Sequence, residues 1–187
     1  DLGLLADLGQ HEAQAVFKGM EKYGNPWGIG RSEADWLQKE PAGTPLAENN
    51  EVEYLYFVGC AGTFDERNRK VTTAVIKLLQ MAGVSFCILG KEQSCCGDSA
   101  RRLGNEYLYQ SLVAANVEQW QGYGVKKIIT SCPHCLNTIK NEYPQFGGQF
   151  EVVHHSVLLA QLVAGGKLKP KKPIEASCTY HDSCYLG

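Results

Sequence analysis

The chain has 187 residues, 44% of them apolar and 20% charged, with 18 Lys plus Arg against 20 Asp plus Glu for a formal net charge of -2. This is the composition of a folded globular protein, long enough for one ordinary domain or two small ones, and it excludes wholesale disorder. The balanced charge, with no basic stripe, excludes nucleic acid as an expected partner, and no run approaches the roughly 18 apolar residues of a bilayer span.

The start, DLGLLADLGQHEAQ, has neither the basic region nor the apolar core of a signal peptide. Residues 1–22 predict a helix, with Leu4, Leu5, Leu8, Ala13, Val16, Phe17 and Met20 at helical spacing. Residues 23–50 hold YGNPWGIGR and EPAGTP, which is turn and linker chemistry. Trp27 and Trp36 are expected to anchor this arm against the rest of the chain. The arm, 1–50, is thus set apart from a domain over 51–187.

From residue 53 strands and helices alternate. Tyr54–Val58 predicts a strand, and 68–82 a helix with Val71, Ala74, Val75, Leu78, Leu79 and Ala82 on one face, stopped by Gly83. Val84–Leu89 is a second strand, 104–121 a helix and Val125–Thr130 a third strand. Residues 135–142 read as helical, Phe150–His154 as a fourth strand and Ser156–Ala164 as a helix. KLKPKKP is a solvated turn and Ile174–Tyr180 a fifth strand. The alternation predicts an α/β fold, a parallel sheet with flanking helices.

All eight Cys lie at or beyond residue 60. Disulfide scaffolds are short, secreted and poor in core, so these Cys point instead to a reducing compartment and a thiolate-rich site. Cys60, Cys95, Cys96 and Cys132 each follow a predicted strand, with Cys135 one helical turn on from Cys132. In open α/β sheets the crevice beyond the strand C-termini binds ligands, so these Cys are expected to converge at that edge. The core pattern is Cys60, 34 intervening residues, Cys95-Cys96-Gly97, 35 more, then Cys132-Pro133-His134-Cys135. A lone CxxC could be zinc, a redox dithiol or chance; five thiols in this order exceed a tetrahedral zinc site or an ordinary cubane.

This pattern resembles the CCG cysteine-rich domain of the family that includes heterodisulfide reductase and the iron–sulfur subunit of glycolate oxidase. The words KYGNPWGIGR, FVGCAGTFDERNRKV, SCCGDSARRLGNEYLYQ, KKIITSCPHCLNTIKNEYPQFGG, EVVHHS and YHDSCYLG resemble the fused, membrane-associated iron–sulfur oxidoreductase branch linked to electron-transfer flavoprotein. The resemblance implies a Rossmann-like domain and a noncubane [4Fe-4S] cluster held by Cys60, Cys95, Cys96, Cys132 and Cys135. It implies that Cys184 opens a second such unit at 180–187, although Ser183 stands where the family motif has Pro. The chain, without a starting Met and stopping just after Cys184, reads as part of a larger protein whose other parts carry further [4Fe-4S] clusters and a membrane segment.

The function so implied is relay of electrons between a flavoprotein dehydrogenase, or electron-transfer flavoprotein, and a quinone. It would act within a larger oxidoreductase on the cytoplasmic side of the cell membrane. The alternatives are a disulfide (heterodisulfide) reductase module and a domain stabilised by zinc or by buried thiols. No catalytic acid–base pair is identified. Cys87, inside VSFCIL, and Cys178 read as structural thiols. His134, between two Cys, either donates to the cluster or substrate or faces solvent. Of His154 and His155, strand alternation would aim one at the site and pack the other inside. His181 and Asp182 form either a pair behind Cys184 or a helix cap; Arg101 and Arg102 either offset cluster charge or make a charged surface.

Overall fold

The computed structural model describes residues 2–39, 41, 43–47, 52–180 and 185, with side chains of the first helix from residue 11 onward. Helix α1 (Leu2–Tyr23) leads through a 3-10 turn (Arg31–Ala34) and α2 (Trp36–Lys39) to β1 (Tyr54–Phe57). Then come α3 (Gly59–Phe64), α4 (Glu66–Met81), β2 (Phe86–Cys87), a 3-10 turn (Gly90–Glu92), α5 (Asp98–Arg102) and α6 (Glu106–Gly122). β3 (Lys127–Thr130) is followed by α7 (Pro133–Asn137), a π turn (Thr138–Glu142), a 3-10 turn (Tyr143–Phe146), β4 (Glu151–His154) and α8 (His155–Ala164).

The four strands form one parallel sheet in the order β2-β1-β3-β4, with Leu55 opposite Ile128 and Ile128 opposite Val152. This is the Rossmann-like arrangement expected. The chain order reverses between β1 and β3, so the switch point, where the loops part, lies beyond the ends of those two strands.

Side chains alternate across the sheet with period two, and both faces are covered. Leu55, Phe57, Cys87, Leu89, Ile128 and Val152 pack with Phe17, Met20, Tyr109, Trp120 and Tyr143 on one face. Tyr56, Val58, Phe86, Ile88 and Ile129 pack with Leu37, Ile76, Leu79, Leu158 and Leu162 on the other. Caps set the helix starts: the Asp65 carboxylate accepts the Asn68 N–H at 2.8 Å, and the Asn105 side chain accepts the Leu108 N–H at 3.0 Å.

Several expectations shift. Helix α4 buries Thr72, Val75, Ile76 and Leu79, while Val71 and Ala74 face solvent. The stripe can turn because Thr72 donates its hydroxyl to the Gly62 carbonyl at 3.0 Å, so a polar residue sits buried without an unpaired group. β2 is shorter than 84–89, and its outer edge is covered by 45–47: Ala47 N–H donates to the Ile88 carbonyl and Ile88 N–H to the Pro45 carbonyl. A covered edge needs no long strand.

Residues 174–180 form no strand. They run exposed, with Ile174 86% and Tyr180 74% accessible, because alternation alone cannot make a strand without a ladder partner. Cys178 is therefore exposed rather than a packed structural thiol. Trp36 anchors as expected, donating its indole N–H to the Thr63 carbonyl at 3.0 Å, with the Arg69 guanidinium over its ring. Trp27 does not, standing 51% exposed at the tip of its loop. Among the described residues no helix is long and apolar enough to cross a membrane.

Candidate metal centre

The parallel strands end at one edge, and their loops carry the cysteines there. Cys60 lies in α3, just past β1. Cys132 caps α7 just past β3, and Cys135 lies within α7, so both arms of the β1/β3 switch point present sulfur. Cys95 and Cys96 arrive on the irregular loop 93–97 beyond β2. The Cys60 thiol donates to the Cys95 sulfur at 4.0 Å, and the Cys135 thiol to the Cys96 sulfur at 3.6 Å. Cys95, Cys96 and Cys135 are buried, Cys60 and Cys132 half-buried. Cys184 lies outside the described residues, as do His181 and Asp182.

The Cys95–Cys96 loop is fastened at every peptide. Cys95 N–H donates to the Gly24 carbonyl at 2.7 Å. Asn116 Nδ2 donates to the Cys95 carbonyl at 3.0 Å and the Tyr143 hydroxyl to the Cys96 carbonyl at 3.0 Å. Gly97 N–H points at the Cys95 sulfur at 3.4 Å. Gly97 takes φ 90°, and a Cβ there would stand 2.8 Å from the Tyr109 ring, so no larger residue fits. On the Cys60 side, the Gln93 side chain accepts the Gly59 N–H at 3.1 Å and donates to the Thr63 hydroxyl at 3.2 Å, tying this loop to the β1–α3 turn.

Neighbouring thiols, helped by backbone N–H groups, favour negative sulfur at two positions. The hydrogen bond from Cys135 and the N–H groups of Cys135 and His134 at the start of α7 lower the Cys132 thiol to about 6. Hydrogen bonds from Cys60 and Cys96, helped by the Gly97 N–H, hold Cys95 well below its usual range. Cys60 is pushed up by donating to Cys95 and by burial; Cys135 is pushed up by donating to Cys132 and Cys96 and by burial. Cys96 accepts from Cys135, which opposes the rise, yet donation to Cys95 and burial raise it. Five adjacent thiols cannot all ionise unaided, and a bound cation would replace the protons.

Around the sulfurs lies a polar lock. Asp98, 6% exposed, accepts from His134 Nδ1 at 2.9 Å, Thr138 Oγ1 at 3.1 Å and Arg102 Nε at 3.2 Å. Glu142, brought inward by the π turn, accepts from Arg101 at 2.9 Å, from Arg102 and from the Tyr109 hydroxyl at 3.2 Å. The two arginines thus join α5 to the π turn, their charges already met by Glu142, Asp98 and Glu106. His134 has one ring nitrogen on Asp98 and is otherwise largely open, with Tyr185 edge-on at 4.8 Å.

The other histidines do not divide as strand alternation predicts. His155 opens α8 rather than extending β4, so its ring turns back onto His154 at 4.3 Å. His154 is buried and bonded at both nitrogens, Nδ1 with Ser156 Oγ at 2.7 Å and Nε2 with the Ser131 carbonyl at 3.2 Å. Burial, then the neighbouring His154, lowers His155 to about 4, and burial lowers His154. A histidine held below its unfolded value of about 6.5 binds fewer protons when folded, so its stability contribution is whole above about pH 6.5 and lost as pH falls toward about 4. The urea midpoint should fall from pH 7 to pH 4.5, and fall less in His155→Gln; an equal fall in both would remove His155 from the account.

The donor set fits a soft, thiolate-bound group. Five sulfurs converge, backbone N–H groups face three of them, and the neighbouring carboxylate of Asp98 is committed to three other donors. Among the described residues the thiols are in contact with one another, and no three His, Cys, Asp or Glu groups are set out around a common metal position. Asn116, Tyr143, Asp98 and Gln93 escaped the sequence reading. Asn116 alone left a signal: a polar residue on the inward stripe of α6 with Tyr109, Val113, Val117 and Trp120.

Fold and thiols together define a cysteine-rich α/β domain. Residues 54–140 match the family model of the cysteine-rich domain CCG. Over 181 residues the chain is 54% identical to the EtfAB:quinone oxidoreductase of Syntrophomonas wolfei, covering 94% of this chain and 25% of that protein. It is 46% identical over 183 residues to a probable iron-sulfur-binding oxidoreductase, FadF, of Bacillus subtilis, covering 94% and 26%. It is 31% identical over 187 residues to one subunit of the dihydromethanophenazine:CoB–CoM heterodisulfide reductase of Methanosarcina barkeri, covering 96% and 44%. No solved structure matches. The chain therefore carries a CCG cysteine-rich domain homologous to those of this iron–sulfur oxidoreductase family. It spans about a quarter of the first two relatives and under half of the third.

Proposed function

We propose that this chain is the iron–sulfur redox module of a larger oxidoreductase, with Cys60, Cys95, Cys96, Cys132 and Cys135 holding a noncubane [4Fe-4S] cluster. The carrying observation is the meeting of five thiols at the β1/β3 switch point, two pairs of them in sulfur–sulfur contact. Bound there, the cluster supplies a one-electron couple. The protein's part is to hold the sulfurs, to offer them the N–H groups of Gly97, His134 and Cys135, and to limit water by burying three of the five. Those contacts stabilise the more negative state and so tune the potential.

Within that reading the chain passes electrons from a flavoprotein, such as an electron-transfer flavoprotein, toward a quinone. The support is the name of the relative at 54% identity, an EtfAB:quinone oxidoreductase. The module would sit at the cytoplasmic face of the membrane, held there by other parts of the protein or other subunits. Cys184 would begin a second unit. Reduction of a disulfide is the second reading, favoured by the similarity to the Methanosarcina barkeri heterodisulfide reductase.

Anaerobic analysis of iron and acid-labile sulfide, with electron paramagnetic resonance on the same sample, tests the proposal. Roughly four of each per chain and a redox-responsive signal are expected. Zinc, or no metal after anaerobic reconstitution, would overturn it in favour of a structural domain. Once loaded, oxidation of the reduced sample by a soluble quinone but not by an organic disulfide would separate relay from disulfide reduction.

A further inference from the structure

We propose that the loop of residues 24–31, outside the segment matched by the family model, is one wall of the cysteine centre, and that Asn25 positions Cys95 through it. The inference rests on Cys95 being a cluster ligand, but its structural part does not need iron.

Asn25 is 1% exposed and its amide closes the loop from within. Nδ2 donates to the Ile29 carbonyl at 2.7 Å and the Tyr23 carbonyl at 3.2 Å, and Oδ1 accepts the Ile29 N–H at 3.1 Å. The loop lies directly on α1, since a Cβ on Gly19 would stand 2.9 Å from the Gly28 nitrogen. Helix α1 is fixed in turn, its Phe17 and Met20 belonging to the same hydrophobic cluster as Cys95 and Cys96.

From this base the loop reaches the ligands. The Gly24 carbonyl accepts the Cys95 N–H at 2.7 Å, and Arg31 Nη2 donates to Ser94 Oγ at 2.9 Å. Residues 93–96 adopt no regular structure, so no ladder or helix holds them. Their place is set by Gly24 and Arg31 on one side, by Asn116 and Tyr143 on the other, and at residue 93 by the bonds of the Gln93 side chain to Gly59 and Thr63. The buried amide is the only side chain whose hydrogen bonds close residues 25–29, among those described. Removing it leaves the N–H and carbonyl of Ile29 without their side-chain partner and the Tyr23 carbonyl with only the 3.4 Å bond from Arg31 Nε, and so loosens the Gly24 carbonyl, although Gly24 N–H stays on the Met20 carbonyl.

The test uses iron-free protein and timed thiol alkylation read by mass spectrometry, with Cys87 as internal reference. Cys87 is buried in β2, within the hydrophobic cluster that holds Phe17 and Met20, and makes no hydrogen bond to residues 23–31 among those described, so it reports general loosening. In Asn25→Ala, alkylation of Cys95 should rise about tenfold or more against Cys87, the effect of losing a buried hydrogen-bonded group. Arg31→Ala, which removes two exposed hydrogen bonds, to the Tyr23 carbonyl at 3.4 Å and to Ser94 Oγ at 2.9 Å, should raise it by a smaller factor. Unchanged Cys95 reactivity, or equal acceleration of Cys87, would overturn the proposal. In iron-loaded protein Asn25→Ala should also alter the paramagnetic resonance signal and midpoint potential. A wild-type chain that takes up no iron would end the cluster reading, while the alkylation arm would still decide the role of the loop.

Discussion

Replacing Cys95 or Cys96 by Ala should lower iron from roughly four per chain to less than one and abolish the visible absorbance of the anaerobic protein. Both side chains are almost wholly buried at the meeting point of the other three thiols. Their carbonyls are bound to Asn116 and Tyr143, so the backbone cannot swing a neighbouring residue into place. Among the described residues no second soft donor lies ready. Cys87 is in β2 with its thiol pushed up to about 11 by burial, and Cys178 is exposed on the chain beyond α8. Cys87→Ala and Cys178→Ala should therefore leave iron content unchanged. Full iron and sulfide in Cys95→Ala and Cys96→Ala would remove the pair from the ligand set. Retention after Cys60→Ala as well, with activity lost only on replacing Cys132 or Cys135, would point to a dithiol in α7.

Trp120→Ala should cost about 3–5 kcal/mol of stability, a large share of the roughly 5–15 kcal/mol that a domain commonly has. Trp120 is 0% exposed and is the hub of an aromatic group, with Tyr143 stacked at 5.5 Å, Phe57 at 5.2 Å and Phe150 at 5.4 Å. Through Tyr143 it also supports the carbonyl of Cys96. Its indole N–H finds no partner among the described residues, so the ring contributes packing rather than a hydrogen bond. Trp120→Phe should accordingly cost far less than Trp120→Ala, since it keeps most of the ring and removes an unpaired buried donor. Urea unfolding of the iron-free forms measures both. A loss under about 1 kcal/mol for the Ala variant would show that the surrounding rings collapse into the space.

Much of the molecule was legible because its signals are local. Four strands and the long helices announce themselves through apolar periodicity and through Gly83 at a helix end. The five cysteines of the centre stand out by spacing, and their common edge follows from the rule that parallel strands end on one side. The same local signal misled at 174–180, where a strand-like run finds no partner, and at Trp27, whose bulk suggested burial that its loop does not provide. It misled again at His155, where the change from strand to helix turned a ring that alternation would have sent the other way.

The sequence by itself determined the fold class, the donor chemistry and the edge of the sheet where that chemistry gathers. These depend on residue type and period, which are carried by short stretches of chain. The tertiary structure alone decided which groups hold the cysteines in place. Gly24, Asn116 and Tyr143 meet the Cys95–Cys96 loop from the end of α1, from α6 and from the turn before β4, and Asp98 meets His134 across 36 positions. Such hydrogen bonds join residues far apart in the chain, and each partner taken singly is an ordinary Gly, Asn, Tyr or Asp. Their roles arise only when packing removes water and leaves each buried polar group to be satisfied by the few partners it meets.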